Sequence, residues 1–411
     1  MGVIYALRMT LSRQPGILQI FNRYLQKGGE EMSVDRIYTH SADFARMERC
    51  FFDSADWQQP GAPGPLGQLR RLWFNPDAAR RFRESVRQHR PDVALLHNLY
   101  PVASPAIYRE CRKLKLPAIQ FIHNFRPFSP GGTLWNGRRV TAESLRGRYG
   151  AEIRAGTWQG SRLKTLLFSL LLKRLHAGDD LQAVRHWVAI SDFMRDKFID
   201  AGIPAERITT LRHSWDALPE PPPPQDEGYY LFLARLVEEK GLRPALQAWD
   251  LLRREMGAAT PPLYVAGDGP LRPLVEAAAA RNPSVRVLGF VSGEHKRTLL
   301  TRCRALLAPS VWWEPLGLVT YEAYDYAKPM LAAASGGLTE TVEHGKTGFL
   351  HEPGNAVALF ESVLQTENLT AESRHQLGAQ GRAWLLAKTD PRQWKERFAA
   401  IVKGSVLDID T

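Results

Sequence analysis

Two glutamates, Glu314 and Glu322, stand eight positions apart in the segment Glu314-Pro315-Leu316-Gly317-Leu318-Val319-Thr320-Tyr321-Glu322. If a helix begins near Gly317, its unpaired N–H groups point at the loop that holds Glu314. Such a terminus attracts an anion, and a diphosphate fits it well. Glu322 then lies about one and a half turns into the helix, since each turn takes about 3.6 residues. A carboxylate there can accept two hydrogen bonds from a ribose diol. The residues alone also fit a plain helix start with a solvated glutamate. A second segment, Ala234-Arg235-Leu236-Val237-Glu238-Glu239-Lys240-Gly241, follows an apolar run. Its two cations, five positions apart on a strand–helix turn, suit a diphosphate. Arginine grips oxygens as a fork and lysine acts as a point charge. An ordinary charged surface turn reads the same way.

These residues need elements to hold them, and the chain supplies alternating strands and helices. In the first half, Ile17–Phe21 leads to Gly28-Gly29 and a helical stretch. Asp92–Leu96 and Pro117–Ile122 read as buried parallel strands, the second ending at His123. Trp187–Ile190 is another, and Ser191 is placed to cap the helix over Phe193–Ala201. In the second half the strands are Tyr229–Leu233, Leu263–Ala266, Val285–Leu288, Ala305–Ala308 and Met330–Ala333. The helices there are Leu242–Met256, Leu271–Ala280 and Leu318–Ala327. This alternation predicts an α/β protein with two Rossmann-like, doubly wound parallel sheets. Ligands of such sheets bind beyond the carboxyl ends of the strands, so the two sheets define a cleft between them.

Length and punctuation divide the chain. At 411 residues it exceeds one ordinary core. The run Pro219-Glu220-Pro221-Pro222-Pro223-Pro224-Gln225-Asp226-Glu227 is poor in backbone donors and reads as a stiff linker. The expected division is an N-terminal extension at 1–16, a first domain at 17–218, the linker at 219–227 and a second domain at 228–390. A C-terminal helix at 391–411 carries Trp394, Phe398, Ile401 and Val402 at near-helical spacing and is expected to cross back onto the first domain.

Composition narrows the function class. Hydrophobic residues make up 44% and charged residues 24%, as in ordinary globular proteins. Cys50, Cys111 and Cys303 fit no metal or disulfide spacing, which suits a reducing compartment. No apolar run reaches the ~18–20 residues of a membrane span, and residues 1–16 lack a signal-peptide core. The expected location is therefore cytoplasmic. Charge is uneven: residues 1–215 carry an excess of +14, and residues 216–411 an excess of −3. A basic half suggests an anionic partner, nucleic acid or an anionic leaflet, and equally fits a charge excess that only keeps the chain soluble. The segment Arg162–His176, RLKTLLFSLLLKRLH, sets an apolar run between cations. It reads either as a core helix or as a helix lying on an anionic leaflet, a peripheral location on the inner membrane face. No recognition motif supports nucleic acid as the partner.

The ordered set of motifs resembles a family 4 glycosyltransferase of the GT-B fold over about residues 17–390. The matching pieces are Phe21 to Glu31, His123-Asn124-Phe125-Arg126, Pro130-Gly131-Gly132-Thr133-Leu134 and Ala189-Ile190-Ser191. They continue with Leu233-Ala234-Arg235-Leu236, Lys240-Gly241, Ala266-Gly267-Asp268-Gly269-Pro270 and the Glu314–Glu322 segment. Ser335-Gly336-Gly337-Leu338-Thr339-Glu340 and Gly345-Lys346-Thr347-Gly348-Phe349-Leu350 complete the set.

The resemblance implies a retaining, metal-independent transferase that moves a sugar from a UDP- or GDP-type nucleotide sugar to an acceptor hydroxyl, with no further cofactor. It implies that Arg235 and Lys240 bind the diphosphate and Glu322 the ribose. Glu314 would contact the donor sugar, with His123 beside it from the other domain. Gly317 and Leu318 would meet phosphate or sugar through backbone N–H groups, and Val291 with its loop would meet the base. Gly28 and Gly29 would let backbone approach the donor closely. The acceptor would be a saccharide or a lipid-linked molecule, as in polysaccharide, lipopolysaccharide or glycolipid assembly. His213-Ser214-Trp215-Asp216 departs from the usual turn of the family, which puts contacts there in doubt. A sugar-nucleotide epimerase and a non-catalytic nucleotide-sugar-binding subunit are the rival readings.

Overall fold

Strands buried on both faces need helices on both sides, and the chain builds that arrangement twice. The computed structural model describes residues 13–25 and 28–407. Most of the expected 1–16 extension, and Gln26 and Lys27 of the first quoted motif, lie outside the described residues. The first sheet holds β1 (Gly16–Arg23), β2 (Arg46–Asp53), β3 (Val93–Leu96), β4 (Ala118–Ile122), β5 (Val184–Ala189) and β6 (Ile208–Thr210). The second holds β7 (Tyr230–Leu233), β8 (Leu263–Ala266), β9 (Val285–Gly289), β10 (Ala305–Ala308), β11 (Met330–Ala333) and β12 (Gly348–His351). Their orders are β2-β1-β3-β4-β5-β6 and β12-β11-β10-β7-β8-β9. Neighbouring strands pair in parallel throughout both sheets.

The strand order decides where a ligand can sit. Connections leave β1 and β3 toward opposite sides of the first sheet, and β7 and β10 do the same in the second. Each pair is a switch point that leaves a crevice beyond its carboxyl ends. The loops that follow β1, β3 and β4 meet the loops that follow β7 and β10 across that crevice.

Three strands have no counterpart in the sequence reading. β2 lies at the sheet edge, so its residues alternate between buried and solvated instead of forming an apolar run. β6 spans only three residues at the opposite edge. β12, at the edge of the second sheet, begins at Gly348 with φ +152, where a Cβ would stand 2.0 Å from the Met330 carbonyl oxygen.

The halves are tied by two crossings that lie side by side. Residues 219–227 carry neither helix nor strand. Just before them, the Trp215 N–H donates to the Thr389 carbonyl at 2.9 Å, joining the outgoing chain to the returning one. Asp325 anchors the first crossing by accepting from the Trp215 indole at 3.0 Å and from the Leu218 N–H at 2.8 Å. The helix Pro391–Leu407 then packs on the helix Gly29–Ser41 and on β3, β4 and β5 of the first sheet. Its buried face is Trp394, Phe398, Val402 and Ser405. Phe398 meets Phe44 and Phe121 edge to face, each at 6.1 Å between ring centroids. Since Phe398 is fully buried, we expect Phe398→Ala to cost about 3–5 kcal/mol. Urea denaturation checks this; an unchanged midpoint would show that the returning helix is not part of the first core.

Candidate active site

The cavity between the two sheets has a volume of about 1030 Å³ and is lined from both halves. The second half contributes the ionic groups. Arg235 and Lys240 leave the turn after β7, and Glu314 sits in the loop after β10. Gly317 starts the helix Leu318–Asp325 with φ +86, a left-handed geometry that suits glycine. Gly317, Leu318 and Glu322 all face the cavity.

Glu314 is nearly buried and takes four hydrogen bonds. Lys240 Nζ donates to Oε1 at 2.9 Å and to Oε2 at 2.8 Å. Ser310 Oγ and the Trp312 indole donate to Oε2 at 2.9 and 3.0 Å. Oε2 is therefore saturated, while Oε1 keeps a lone pair. Lys240 likewise keeps one of its three donors. Arg235 is exposed and, among the described residues, pairs with no carboxylate. Lys296, on the helix Gly293–Arg302, holds Glu322 Oε2 at 2.9 Å. Trp313 turns away and packs against Phe193 and Phe125.

The loop that carries Glu314 is wedged by two glycines. The Gly337 N–H donates to the Glu314 carbonyl at 2.7 Å. A Cβ on Gly336, at φ +59, would stand 2.3 Å from that same oxygen, and one on Gly337 would stand 2.6 Å from the Pro315 carbonyl. Across the cleft, Ser191 Oγ donates to the Pro315 carbonyl at 2.6 Å and caps its own helix through the Met194 N–H. Glu340 accepts from the N–H groups of Asp192 and Phe193 and from Arg212. A carboxylate of one half thus caps a helix of the other.

The first half contributes a different chemistry. Gln19 Nε2 donates to the Val34 carbonyl at 2.9 Å, which sets the amide's orientation, and reaches His97 Nε2 at 3.1 Å. His97 Nε2 is then an acceptor, so the ring carries its proton on Nδ1. That proton faces His123 Nε2 at 2.9 Å. His123 in turn carries its proton on Nδ1, a buried atom without a protein partner. The His123 ring lies beside Phe121 at 5.1 Å and His213 at 5.2 Å between centroids, and those two rings are 5.8 Å from each other, so the three form one near-parallel cluster. Burial pushes the His123 pKa down to about 3 and lowers those of His97 and His213 well below the usual value. All three stay neutral near pH 7.

Of the residues singled out from the sequence, Gly28, Gly29, His123, Arg235, Lys240, Glu314, Gly317, Leu318 and Glu322 line this one cavity. A Cβ on Gly29 would stand 3.3 Å from Leu318 Cδ1, which shows how closely the halves approach there. Val291 is outside the cavity lining: its side chain is buried, and its neighbour Phe290 is 78% exposed instead. In the divergent turn only His213 reaches the cavity, because Ser214 bonds His40 at 2.9 Å and the Trp215 indole bonds Asp325. Sequence reasoning missed Lys296, which reaches Glu322 only through tertiary packing. It also missed Glu30 and Arg126, although both stand inside quoted motifs. Among the described residues no group of three or more His, Cys, Asp or Glu is placed to hold a metal ion.

Two family models divide the chain between them. The description "Glycosyltransferase Family 4" matches residues 23–216, and "Glycosyl transferases group 1" matches residues 214–384. The glycogen synthase of Thermus thermophilus is 38% identical over 144 residues, which is 34% of this chain and 32% of that protein. The O-antigen chain mannosyltransferase B of Escherichia coli is 30% identical over 212 residues, 47% of this chain and 54% of that protein. The chain thus spans about a third to a half of the length of these curated relatives. Among solved structures, Anabaena HepE in complex with UDP-glucose has a TM-score of 0.66 at 18% identity, covering 94% of this chain and 99% of that one. A glycosyltransferase from Rickettsia africae has a TM-score of 0.64 at 14% identity, covering 96% and 99%.

The glycine wedge gives a direct check on the site. Gly336→Ala adds a Cβ inside contact distance of the Glu314 backbone at a left-handed position. We expect a loss of roughly 1–3 kcal/mol or more, seen as a lower thermal midpoint. A variant that melts with the wild type would show that the Glu314 loop rests on something else. With both halves matched and the two-sheet GT-B fold shared along nearly the whole chain, the protein belongs to the family 4, group 1-type glycosyltransferases.

Proposed function

We propose that this chain transfers a sugar from a nucleoside diphosphate sugar to an acceptor hydroxyl, with retention at the anomeric carbon and without a metal ion. One observation carries the reading: Arg235, Lys240, the helix start at Gly317 and the carboxylates Glu314 and Glu322 converge on one cavity. The bond between the anomeric carbon and the β-phosphate oxygen breaks. The acceptor oxygen forms the new bond on the same face, and its proton passes to the departing phosphate. Positive charge develops on the sugar and negative charge on the phosphate. Arg235, the third donor of Lys240 and the N–H groups at Gly317 and Leu318 meet the negative charge where it grows. Glu314 Oε1 and His123 Nδ1 hold the sugar's hydroxyls from opposite walls. Glu322, oriented by Lys296, takes the ribose. HepE has been crystallised with UDP and with UDP-glucose, so a UDP sugar is the first donor to try, with a GDP sugar as the alternative. In excess chelator we expect the wild type to retain its turnover. Arg235→Ala and Lys240→Ala should each lose ~100-fold or more, as when one preorganised donor is removed. Near-normal rates in both variants, or wild-type activity that needs added manganese, would overturn the assignment.

The same reading places the enzyme at a membrane surface, where lipid-linked acceptors of polysaccharide or glycolipid assembly are met. The helix Arg162–Ala177 buries Thr165, Phe168, Ser169, Leu171, Leu172 and Leu175 in the first half. Its other side exposes Leu163 by 65%, Leu166 by 39% and Leu170 by 44%, one stripe at helical spacing. Arg162, Lys164, Lys173 and Arg174 flank that stripe and are exposed. The helix is therefore a core element on one face and an unpartnered apolar face with cationic edges on the other. No helix among the described residues is long and apolar enough to cross a membrane. An anionic leaflet complements the stripe, with each nearby cation adding about 1 kcal/mol. Co-sedimentation with anionic vesicles at low salt should retain the wild type and release a Leu163→Gln, Leu166→Gln, Leu170→Gln variant. Absence of wild-type binding, or equal binding of both, removes the membrane claim.

A further inference from the structure

A second cavity, of about 280 Å³, lies on the seam between the halves and shares no lining residue with the first. Glu143, Arg146, Arg148, Lys197 and Asp200 reach it from the first half, and Trp313 from the second. Its size is near the lower end of the ~300–1,000 Å³ of small-molecule clefts, which favour domain interfaces. Local structure sets the two arginines. The short 3₁₀ helix Ala142–Arg146 ends at Gly147, whose φ of +71 turns the chain. The Gly147 N–H donates to the Ser144 carbonyl at 3.0 Å, and the Arg148 N–H to the Glu143 carbonyl at 3.1 Å. This paired closure, as at helix C-termini, fixes the backbone on both sides of Gly147. Arg146 and Arg148 thus leave one short, fixed turn and line one cavity.

Charge in this lining is not balanced. Arg139, outside the lining, holds both oxygens of Glu143. Lys197 Nζ donates to Asp200 Oδ2 at 3.1 Å. Both carboxylates are therefore taken. Arg146 and Arg148 are exposed and, among the described residues, make no ion pair or side-chain hydrogen bond. Lys197 keeps two of its three donors and stands 5.4 Å from the Trp313 ring centroid. Half-buried Trp313 rests edge to face on Phe193 at 5.3 Å. Its indole N–H has no protein partner among the described residues, whereas that of Trp312 is tied to Glu314. Guanidinium groups grip phosphate oxygens as forks. A phosphate monoester carries a charge of about −1.5 to −2 at pH 7, the complement of two uncompensated arginines. A carboxylate would leave one of them unmatched. A bare phosphate would leave the Trp313 wall uncovered.

We propose that this seam cavity is a second ligand site, for a phosphate monoester that carries a small ring: Arg146 and Arg148 hold the phosphate, and Trp313 packs on the ring. The site bridges the halves at a sensitive place. Trp313 precedes Glu314 in the chain, and Ser191 grips the same loop at the Pro315 carbonyl. Lys197 belongs to the helix Asp192–Asp200, whose first N–H groups Glu340 caps from the other half. A ligand that touches both halves favours the arrangement in which they are held together. It is therefore coupled to a nucleotide bound between them, and the coupling is reciprocal. That coupling rests on the transferase reading; the phosphate site itself does not.

The test is titration calorimetry on the full chain with phenyl phosphate and ribose 5-phosphate, with inorganic phosphate and ribose as controls, each with and without UDP. For the wild type we expect at least one ring-bearing phosphate to bind with a Kd below ~1 mM, tighter than inorganic phosphate, and ribose not to bind. An Arg146→Gln, Arg148→Gln variant, changed only at exposed positions, should bind it about 10-fold more weakly, since charge-assisted bonds are lost. Trp313→Ala should lower the ring-bearing phosphates to the level of inorganic phosphate. Arg235→Ala should leave this binding in place, which separates it from phosphate held in the main cavity. Binding of neither ring-bearing phosphate overturns the site, as does binding that the double variant keeps or that Arg235→Ala abolishes. Vesicles containing phosphatidic acid form a further arm. If they retain the wild type and release the double variant while no soluble phosphate binds, the arginines serve a lipid headgroup and the proposal falls. UDP binding is a separate readout: saturation with the ring-bearing phosphate should tighten it about 5-fold. UDP binding of unchanged affinity defeats the bridging. Phosphate binding through Arg146 and Arg148 without any UDP binding keeps the site and defeats the transferase reading.

Discussion

A carboxylate inside a cavity must be surrounded by donors, and most of the second-half site follows from how Glu314 meets that demand. An uncompensated buried charge would cost several kcal/mol. Lys240, Ser310 and Trp312 supply the compensation. The ends of β7 and β10 must therefore lie side by side, because Lys240 leaves one and Ser310 leaves the other. The pairing of β10 with β7 provides this. The lysine gains a fixed position from the same bond. A flexible four-carbon stem with its ammonium held on two oxygens presents its remaining donor in one direction. The clamp thus positions the lysine as much as it compensates the glutamate.

Backbone contacts do the rest of the positioning, and they explain the glycines. Gly336 and Gly337 press against the carbonyls of Glu314 and Pro315, and the Pro315 carbonyl also accepts Ser191 Oγ from the other half. One loop is thereby gripped from both sheets. Glu340 adds a second link by capping the helix Asp192–Asp200. Relative movement of the halves must loosen these contacts, so any opening of the cleft is coupled to the loop that carries Glu314.

Much of this was legible in the residues, for identifiable reasons. Leu263–Ala266, Ala305–Ala308 and Met330–Ala333 are continuous apolar runs because central parallel strands are covered on both faces, and the structure gives them the same bounds. β2 escaped because an edge strand has one solvated face and reads as RMERCFFD. Lys296 escaped because a salt bridge to a residue 26 positions away leaves no periodic signal. Glu30 escaped for a subtler reason. A glutamate in the first turn of a helix is ordinary, since it complements the dipole. Only the approach of the β4 loop, with Asn124 and Arg126, takes it out of water. The resemblance went further than spacing by assigning Arg235, Lys240 and Glu314 to one donor, but neither reading contains the ion pair between Lys240 and Glu314, which only the tertiary structure forms.

Net charge is the feature that misleads most if it is read alone. The first half carries an excess of +14 and the second an excess of −3, so a polyanion would be assigned to the first half. The structure puts the cavity's Arg235 and Lys240 on the second, acidic half. The first-half wall of that cavity holds neutral histidines and one carboxylate balanced by one guanidinium. Its basic excess must therefore lie elsewhere, and the exposed cations that flank Leu163, Leu166 and Leu170 are part of it. A field raised by these outer charges acts within about 8–10 Å at ordinary ionic strength. Charges beyond that distance from the cavity are therefore largely screened from it. The two halves thus differ in how charge is arranged: in one, cations and carboxylates are gathered at the cavity, and in the other the basic excess is spread over the outer surface.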